Sequence, residues 1–217
     1  MDDAAVSATG RVPRGARGRE TREAILTTAE RLFARYGVVA VSNRQISDEA
    51  GQGNNTAVGY HFGTKTDLVR AIVHKHTAQI EDRAGQLLDR YGGSAEVRDW
   101  VTCLVLPLTD HLAAQHGPSW YARFCAQVMT DPVLRQAVLD DALGAGALQA
   151  TVEGLHRCLP DLPPEVRAAR GDMARYVLLH TCAERERAPR AGSSWAETAT
   201  MLIDAIVGLL TAPVTRP

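Results

Sequence analysis

Apolar residues recur at helical spacing along most of the chain, and this pattern predicts α-helices. From Thr21 the apolar positions are separated by four, three, one and three residues and share one helix face: Ile25, Ala29, Leu32, Phe33 and Tyr36. Gly37 is expected to end this helix. A second helix is expected after Ser42, because SNRQ has the spacing of a capping box, and Gly51 supplies the left-handed residue that ends it.

The next stretch, GQGNNTAVGYHF, opens with turn-forming residues and closes on adjacent aromatic rings. It predicts a tight glycine turn and a helix of barely two turns, capped by Asn54 or Asn55 and ended by Gly63. The sequence TKTD then repeats the capping-box spacing at Thr64 and begins a longer helix that continues to about Tyr91. Two short helices joined by a glycine turn and packed between longer ones form a helix-turn-helix.

Five further helices are predicted in the rest of the chain, over residues 94–116, 118–129, 132–159, 164–187 and 194–211. Pro107 lies inside the first of them, where its ring and missing amide are expected to kink the helix. The last two carry more apolar residues than one core face needs. This surplus indicates a second buried surface.

The formal net charge of -1 conceals an uneven distribution along the chain. Residues 11–76 hold eleven Lys and Arg against six Asp and Glu, a net charge of +5, whereas residues 77–217 hold thirteen against seventeen, a net charge of -4. The positive segment is where a polyanion would bind. Residues 1–18 contain Gly, Pro and Arg without an apolar period, and they predict a flexible basic arm. Its arginines either enter a DNA minor groove or belong to a solvated tail.

Composition excludes several classes of protein. Hydrophobic residues make up 45% of the chain and charged residues 23%, as in ordinary globular proteins. Because no apolar run approaches the roughly 20 residues that cross a bilayer, we expect a cytoplasmic protein without a membrane partner. The four cysteines form no CxxC pair, and the sequence contains no nucleophile elbow, phosphate loop or metal motif. We therefore expect no cofactor, and the alternative of an enzyme that pairs a histidine with a cysteine has no motif to support it.

A helix-turn-helix places its second helix in the major groove, with side chains near the start of that helix at the base edges. Asn55, Thr56 and Tyr60 are then positioned to contact DNA, since amides, hydroxyls and aromatic edges bond to bases and backbone. The alternative is that Asn54 and Asn55 only cap the helix while Tyr60 packs on the first helix. Phe62 is expected in the core.

Residues 21–76 resemble the TetR family of bacterial transcriptional regulators. The resemblance is carried by three segments in order: TREAILTTAERLFARYG, SNRQISDEAG and NNTAVGYHFGTKTDLVRAIV. It covers roughly a quarter of the chain and is more specific than a general helix-turn-helix. It implies an all-α homodimer in which an N-terminal helix-turn-helix domain binds DNA and a larger helical domain binds a ligand and dimerises through the two C-terminal helices.

The same resemblance implies DNA-contacting roles for several residues of this chain. Lys65 matches a lysine that contacts a phosphate, and Tyr60 and His61 fall where the family often holds the DNA backbone. The candidate DNA-binding residues are Ser42, Arg44, Gln45, Asn54, Asn55, Thr56, Tyr60, His61 and Lys65. Gly59 is a departure, because the family commonly has an aromatic residue there; glycine costs the helix up to ~1 kcal/mol relative to alanine.

Aromatic and apolar residues of the larger half are candidates for the wall of a ligand pocket, because such pockets are mostly apolar with a few polar groups. The candidates are Trp100, Cys103, Trp120, Tyr121, Phe124, Val128, Tyr176 and His180. The kink at Pro107 is expected to leave a gap among them. The alternative for each residue is an ordinary position in the core.

The sequence thus predicts a ligand-responsive DNA-binding regulator. The expected organisation is a basic arm over residues 1–18, a helix-turn-helix domain over 19–66, and a ligand-binding and dimerisation domain over 67–217. The hypothesis is a homodimeric repressor that binds a palindromic operator and is released by a small, largely apolar effector. Two alternatives stay open: a DNA-binding regulator without small-molecule control, and an activator.

Overall fold

The computed structural model of the protein describes residues 14–54, 56–144, 146–159, 161–188 and 194–215. Ten α-helices and no strands are found in these residues, so the predicted all-α fold is confirmed. The first four helices are α1 (Arg14–Tyr36), α2 (Asn43–Glu49), α3 (Ala57–Phe62) and α4 (Lys65–Tyr91). The other six are α5 (Val97–Ala113), α6 (Tyr121–Val128), α7 (Pro132–Leu143), α8 (Ala147–Cys158), α9 (Pro164–Arg187) and α10 (Trp195–Thr211).

Local sequence sets the ends of the short helices. The Ser42 hydroxyl accepts a hydrogen bond from the Gln45 amide at the start of α2, as predicted. Thr64 and Asp67 form a complete capping box at the start of α4, which is also as predicted. The glycines that end α1, α2 and α3 have φ angles of 84°, 69° and 75°, a left-handed conformation in which a Cβ would be strained: Gly37, Gly51 and Gly63.

Several helix boundaries differ from the prediction. Helix α1 begins at Arg14, so residues 14–18 of the predicted arm are helical; the remainder of that arm, 1–13, lies outside the described residues. Two of these five residues are glycines, so they are helical because they extend a helix already anchored by packing and not because of their own propensity.

The helices predicted over 94–116 and 118–129 are shorter, because α5 covers Val97–Ala113 and α6 covers Tyr121–Val128. Ser94 instead belongs to a turn in which its hydroxyl accepts a hydrogen bond from the Glu96 amide. The single helix predicted over 132–159 is divided into α7 and α8 by a turn at Gly146, whose φ is 80°. Gly144 and Gly146 stand close together there, and two glycines favour a break in a helix.

Helix α4 packs against elements of both halves of the chain. In the N-terminal half, Leu68 and Ile72 of α4 are buried with Leu32 of α1, Ile46 of α2 and Val58 of α3. Further along, α4 packs on α5, α7 and α8, while α5 also packs on α8 and α10, and α6 lies against α1 and α9. The predicted domain boundary between residues 66 and 67 falls in the first turn of this continuous helix.

Four buried polar and aromatic side chains also join the two halves. His76 of α4 lies with its Nε2 at 3.1 Å from Oε2 of Glu30 on α1 and its Nδ1 at 2.8 Å from Nε2 of His111 on α5. Tyr121, at the start of α6, stacks on the His76 ring with centroids 3.9 Å apart. Glu30, His76, His111 and Tyr121 are all buried, and we call them the buried polar cluster. Four helices therefore meet at one set of specific contacts.

Protonation of His111, one member of this cluster, opposes folding. The pKa of His111 is lowered from 6.5 to about 4, mainly by burial and also by the neighbouring His76, whereas Glu30 has the opposite effect. Lys75 adds a positive charge nearby, since its Nζ lies 4.0 Å from the Glu30 carboxylate. His111 is consequently neutral near pH 7 in the folded protein.

We predict that His111→Gln weakens the dependence of stability on acid pH. In the unfolded chain His111 binds a proton near pH 6.5 but in the folded protein only near pH 4, so its contribution is complete above pH 6.5 and falls as the pH decreases through that window. The loss at the acid end is on the order of 2–3 kcal/mol. Urea unfolding of both proteins between about pH 7.5 and pH 4.5 measures it.

The matched control is His116→Gln, which removes an exposed imidazole from the loop after α5. His111→Gln is expected to be less stable near neutral pH, because it alters the contact with His76, so the slope rather than the absolute stability is compared. Equal acid slopes for the wild type and His111→Gln would contradict the prediction.

Candidate DNA interface and internal cavities

The helix-turn-helix has one buried apolar surface and one exposed polar surface. Ile46, Val58 and Phe62 pack into the core, which confirms the expected position of Phe62. Tyr60 is 85% exposed, so the alternative that it packs on the first helix is wrong. The half-buried His61 ring lies edge-on to Tyr60, with centroids 5.1 Å apart. Helix α3 thus presents an aromatic hydroxyl to the solvent on the side away from the core.

The start of α2 adds three exposed polar side chains, those of Ser42, Arg44 and Gln45. The Ser42 hydroxyl accepts its bond from the Gln45 amide at 3.1 Å, and its own hydrogen remains to be donated. Nε of Arg44 lies 3.7 Å from Oδ2 of Asp48, with both side chains well exposed. An exposed pair of this kind contributes little to stability, so Arg44 can exchange the carboxylate for a phosphate at small cost.

The turn before α3 is organised by Asn54. Its side-chain oxygen accepts hydrogen bonds from the Thr56 amide, at 3.0 Å, and from the Thr56 hydroxyl, at 2.7 Å. The N-cap residue of α3 is Thr56, whose side chain makes no capping bond, so the prediction that Asn54 caps this helix is wrong. The Asn54 oxygen instead closes a turn before α3, and the amide hydrogens of its exposed side chain remain. Thr56 is also exposed, and Asn55 lies outside the described residues. Asn54 and Thr56 are brought together at the start of α3.

Lys65 has a structural role that the sequence did not indicate. Its Nζ donates hydrogen bonds to the backbone carbonyls of Val41, at 2.6 Å, and Val38, at 3.1 Å, and burial lowers its pKa. These bonds connect the loop between α1 and α2 to the first turn of α4. Because an ammonium group has three hydrogens, one remains for a phosphate. Contact between two carbonyls and a lysine 24 or more residues later in the chain cannot be deduced from sequence spacing.

The residues expected to form one pocket wall do not meet at one site. Trp100 is 2% exposed and packs against Gly154, where an added Cβ would lie 2.1 Å from the indole ring. Phe124 stacks on Phe33 with ring centroids 6.3 Å apart, and Val128 is buried in the same core. These three candidates, Trp100, Phe124 and Val128, are core residues, as the alternative held.

Three other candidates lie towards the surface. The half-buried Trp120 has the guanidinium groups of Arg35 and Arg123 at 4.6 Å and 4.0 Å from its ring centroid. Tyr176 and His180 are exposed on α9, with ring centroids 5.9 Å apart. Their chemistry suits a pocket wall, but Tyr176 and His180 lie four residues apart on an outward face of α9.

The last two candidates, Cys103 and Tyr121, do line an internal cavity. It has a volume of about 240 Å³ and lies among α4, α5, α6, α7, α8 and α9; we call it the central cavity. Pro107 also lines it, in agreement with the expected gap. Helix α4 contributes Val73, His74, Thr77, Ile80, Glu81 and Ala84. Because the Tyr121 ring also stacks on His76, one side chain connects the central cavity with the buried polar cluster.

The ionisable groups of the central cavity include two carboxyls. Burial raises the pKa of Glu81, and Oδ2 of Asp141 lies 2.9 Å from Nε of Arg70. Burial, together with the charge of Asp99, raises the pKa of Cys103 to about 11, so its thiol is neutral and serves as a small apolar surface. The cavity is therefore suited to a mainly apolar occupant.

A second cavity, of about 370 Å³, adjoins the first and is lined mainly by α8, α9 and apolar residues of α5, α7 and α10. Three arginines of α9 line it, and we call it the arginine chamber: Arg167, Arg170 and Arg175. Four apolar residues line both cavities: Leu104, Met129, Leu148 and Leu179. This chamber was not predicted from the sequence. The sign of it in the sequence is that these arginines share one face of α9 with the apolar residues Ala174 and Leu178.

Two negative findings concern the described residues alone. No group of three or more His, Cys, Asp or Glu side chains among them is arranged to hold a metal ion. None of the helices they form combines the length and apolarity needed to cross a membrane.

The fold and these sites agree with comparisons to known proteins. Residues 25–72 match the bacterial regulatory proteins of the tetR family, and residues 102–212 match the tetracyclin repressor-like C-terminal domain. No curated protein matches the chain.

Two solved structures illustrate the shared fold. NalD of Pseudomonas aeruginosa, the secondary repressor of the MexAB-OprM multidrug efflux pump, is 22% identical, with a TM-score of 0.55 over 91% of this chain and 100% of NalD. PfmR of Thermus thermophilus, a TetR family transcriptional regulator, is 15% identical, with a TM-score of 0.51 over 90% of this chain and 98% of PfmR. These identities are low and show the fold alone. The two family matches together extend over both halves of the chain, and the protein belongs to the TetR family of transcriptional regulators, which are DNA-binding regulators rather than enzymes.

Proposed function

We propose that the protein is a ligand-responsive repressor that binds a palindromic operator as a homodimer and releases it when a small, largely apolar effector enters the central cavity. The observation that carries the proposal is the path of α4. This helix begins beside α3 and ends among the helices that enclose the cavity. We therefore expect a displacement of α4 at the cavity to displace its other end, beside α3.

Helix α4 is long enough to connect the helix-turn-helix with the central cavity. Its 27 residues span about 40 Å at 1.5 Å per residue. The N-terminal turn is held by the capping box of Thr64 and by the bonds of Lys65 to the preceding loop. Further along, Thr77 and Ile80 line the central cavity. An occupant that displaces this part of α4 tilts the helix and shifts the position of α3.

The proposed DNA surface consists of the start of α2 and the exposed side of α3. Arg44 supplies positive charge, while Asn54, Thr56 and Tyr60 supply hydrogen-bonding groups at the start and on the exposed side of α3. In this proposal residues 19–66 bind DNA, and residues 67–217 hold the effector and the dimer contact. Lys65 contributes mainly by fixing the loop before α2, with one hydrogen left for a phosphate.

The proposed dimer contact is the outer face of α9 and α10. Met173 and Tyr176 on α9 are 51% and 39% exposed, and Met201 on α10 is 59% exposed. Large apolar side chains grouped on an exposed helix pair are typical of a surface that another protein covers. A two-fold dimer through this face would present two copies of α3 to one DNA duplex.

The repressor role is proposed because regulators of the TetR family are typically DNA-binding repressors. Linkage sets a strict condition. An effector that weakens operator binding by some factor must itself bind more weakly to the operator complex by the same factor.

We predict that the purified protein enriches a palindrome from a pool of random duplexes. The half-sites should be centred one helical turn, about 34–36 Å, or a multiple of it apart, because two copies of α3 contact the same duplex. Sequencing of bound duplexes at a stated salt concentration measures this. Failure to enrich any sequence, with or without effector, would contradict a sequence-specific reader.

Matched variants distinguish base contacts from phosphate contacts in the proposed DNA surface. Thr56→Ala is expected to cost about 1–3 kcal/mol at particular base pairs, whereas Arg44→Ala should weaken binding to all sequences and lower the salt slope by about one. The control is Arg90→Ala, an exposed arginine at the far end of α4. Uniform loss at every base for Thr56→Ala would assign it to the turn rather than to base contact.

We predict that Met201→Arg produces a monomer that loses the palindromic preference. Burying an unpaired guanidinium in an apolar contact is costly, so the dimer dissociates while the fold of each chain persists. Sedimentation equilibrium measures the mass. Val133→Arg is the control, since Val133 is 71% exposed on α7, away from the proposed face. A dimeric Met201→Arg protein would place the contact elsewhere.

We predict that Cys103→Phe, which fills part of the central cavity, abolishes the response to effectors. Compounds from a panel of apolar metabolites that raise the melting temperature of the wild type should fail to raise that of the variant. In the wild type the same compounds should lower operator affinity in an anisotropy assay. Val133→Phe is the control. Operator binding that no stabilising compound alters would favour the alternative, a DNA-binding regulator without small-molecule control.

A further inference from the structure

The arginine chamber differs from the central cavity in the sign of its charge. Three arginines line it, and no Asp or Glu is present among the lining residues that the structure describes. The rest of its wall is almost entirely apolar, with Leu139, Val152, Leu155 and Leu178 among its members. A positively charged group set against an apolar wall suits a molecule that has one anionic end and an apolar body.

The arginines have hydrogen-bonding capacity that the protein does not use. Arg170 donates a hydrogen bond to the carbonyl of Leu210 at 2.9 Å and so satisfies a backbone acceptor at the C-terminal end of α10. Arg175 is paired through one terminal nitrogen with Asp172 at 2.9 Å, and Arg167 is 3.8 Å from Asp161.

In both Arg167 and Arg175, however, the Nε is buried and has no hydrogen-bond partner within the described part of the chain. Buried polar groups are nearly always paired, and each exception calls for an explanation. These Nε groups are covered by the protein itself, so it is the outer nitrogens of the guanidinium groups that can face a ligand. A guanidinium group that lines an apolar cavity forms charge-assisted hydrogen bonds with a carboxylate.

The neighbouring histidine does not supply further charge. His156 also lines the chamber, and its pKa is lowered by burial and by the charge of Arg167. Its imidazole is therefore neutral near pH 7 and acts as a hydrogen-bonding group. The positive charge of the chamber is that of the arginines.

The chamber and the proposed dimer contact lie mainly on different faces of α9. Arg167, Arg170, Ala174 and Leu178 are spaced by three and four residues and share the face of α9 that lines the chamber. Met173, Tyr176 and His180 share another face by the same rule, and that face is exposed. Arg175 connects the two faces, because its guanidinium group lies 5.3 Å from the centroid of the Tyr176 ring.

The two adjoining cavities together form one site whose two ends differ in charge. Leu104, Met129, Leu148 and Leu179 belong to both walls, so the cavities are separated by flexible apolar side chains alone. The central cavity has no arginine or lysine among its described lining residues, and its two carboxyls are those of Glu81 and of Asp141, which is paired with Arg70. The anionic end of a ligand thus belongs among the arginines, and its apolar body extends towards α4.

We propose that the effector is an amphipathic carboxylate, bound with its carboxylate among the arginines of the chamber and its apolar chain in the two adjoining cavities. This inference rests on the proposed function, because it names the class of ligand that the same regulator binds. A neutral apolar molecule would fill the volume but leave the charge of the three arginines without a counter-charge inside the chamber. The arginines therefore select for the charged head group.

The test compares three ten-carbon probes that share one alkyl chain: decanoate, decanol and decyltrimethylammonium. Isothermal titration of the full-length protein, below the micelle concentration of each probe, should show decanoate binding roughly ten- to a hundred-fold more tightly than decanol, because charged hydrogen bonds are strong. Decyltrimethylammonium should bind more weakly than decanol. Equal affinities for decanoate and decanol would overturn the proposal.

Variants locate the head group. Arg167→Gln and Arg175→Gln should each weaken decanoate binding by roughly ten-fold or more while leaving decanol binding within about two-fold. Arg90→Gln, an exposed arginine of α4, is the matched control and should change neither. Thermal melts establish that each variant is folded. A folded double variant, with Arg167 and Arg175 both replaced by Gln, that retains wild-type affinity for decanoate would also overturn the proposal.

A parallel measurement on DNA keeps this inference distinguishable from the proposed function. Anisotropy of a labelled duplex from the selection reports whether decanoate releases the operator. Arginine-dependent binding of decanoate without release would support the ligand class and contradict release as the mechanism. Release by decanol with equal or greater potency, and no effect of the arginine variants, would support the regulator and overturn the carboxylate.

Discussion

The continuous packing of α4 against both halves of the molecule is the constraint on which the rest of the structure depends. Its first turn is fixed by the Thr64 capping box and by Lys65, and its middle is fixed by His76 in the buried polar cluster. Beyond His76 the helix becomes a wall of the central cavity. Packing along its whole length makes α4 the continuous connection between the helix-turn-helix and the helices around the central cavity.

The buried polar cluster makes the contact between the halves specific. Apolar packing alone tolerates small sliding movements, whereas the bonds of His76 to Glu30 and His111 require defined distances. Tyr121 lies between this cluster and the central cavity, so an occupant of the cavity touches a ring that also stacks on His76.

Charge is distributed in three separate places, each with its own consequence. The exposed arginines and polar groups near α2 and α3 favour a polyanion at the N-terminal end. Inside the protein, carboxyls lie at the central cavity and arginines line the adjoining chamber, so the two cavities differ in charge. A ligand that is apolar along its length and anionic at one end fits this difference, and its site is separate from the DNA surface.

The sequence by itself determined the all-α fold, most helix ends and the helix-turn-helix, because helical periodicity, capping residues such as Ser42 and Thr64, and left-handed glycines such as Gly63 act over a few residues. Of the expected pocket wall, Cys103 and Tyr121 alone reached the central cavity, since an apolar stripe has the same pattern whether it lines a cavity or fills a core. Gly144 and Gly146 are a local signal for the turn between α7 and α8, but the apolar periodicity of the segment obscured it. Only the tertiary structure decided the bonds of Lys65, the buried polar cluster and the arginine chamber, because each joins side chains from distant segments, and the spacing of residues along one chain carries no information about which helices will meet.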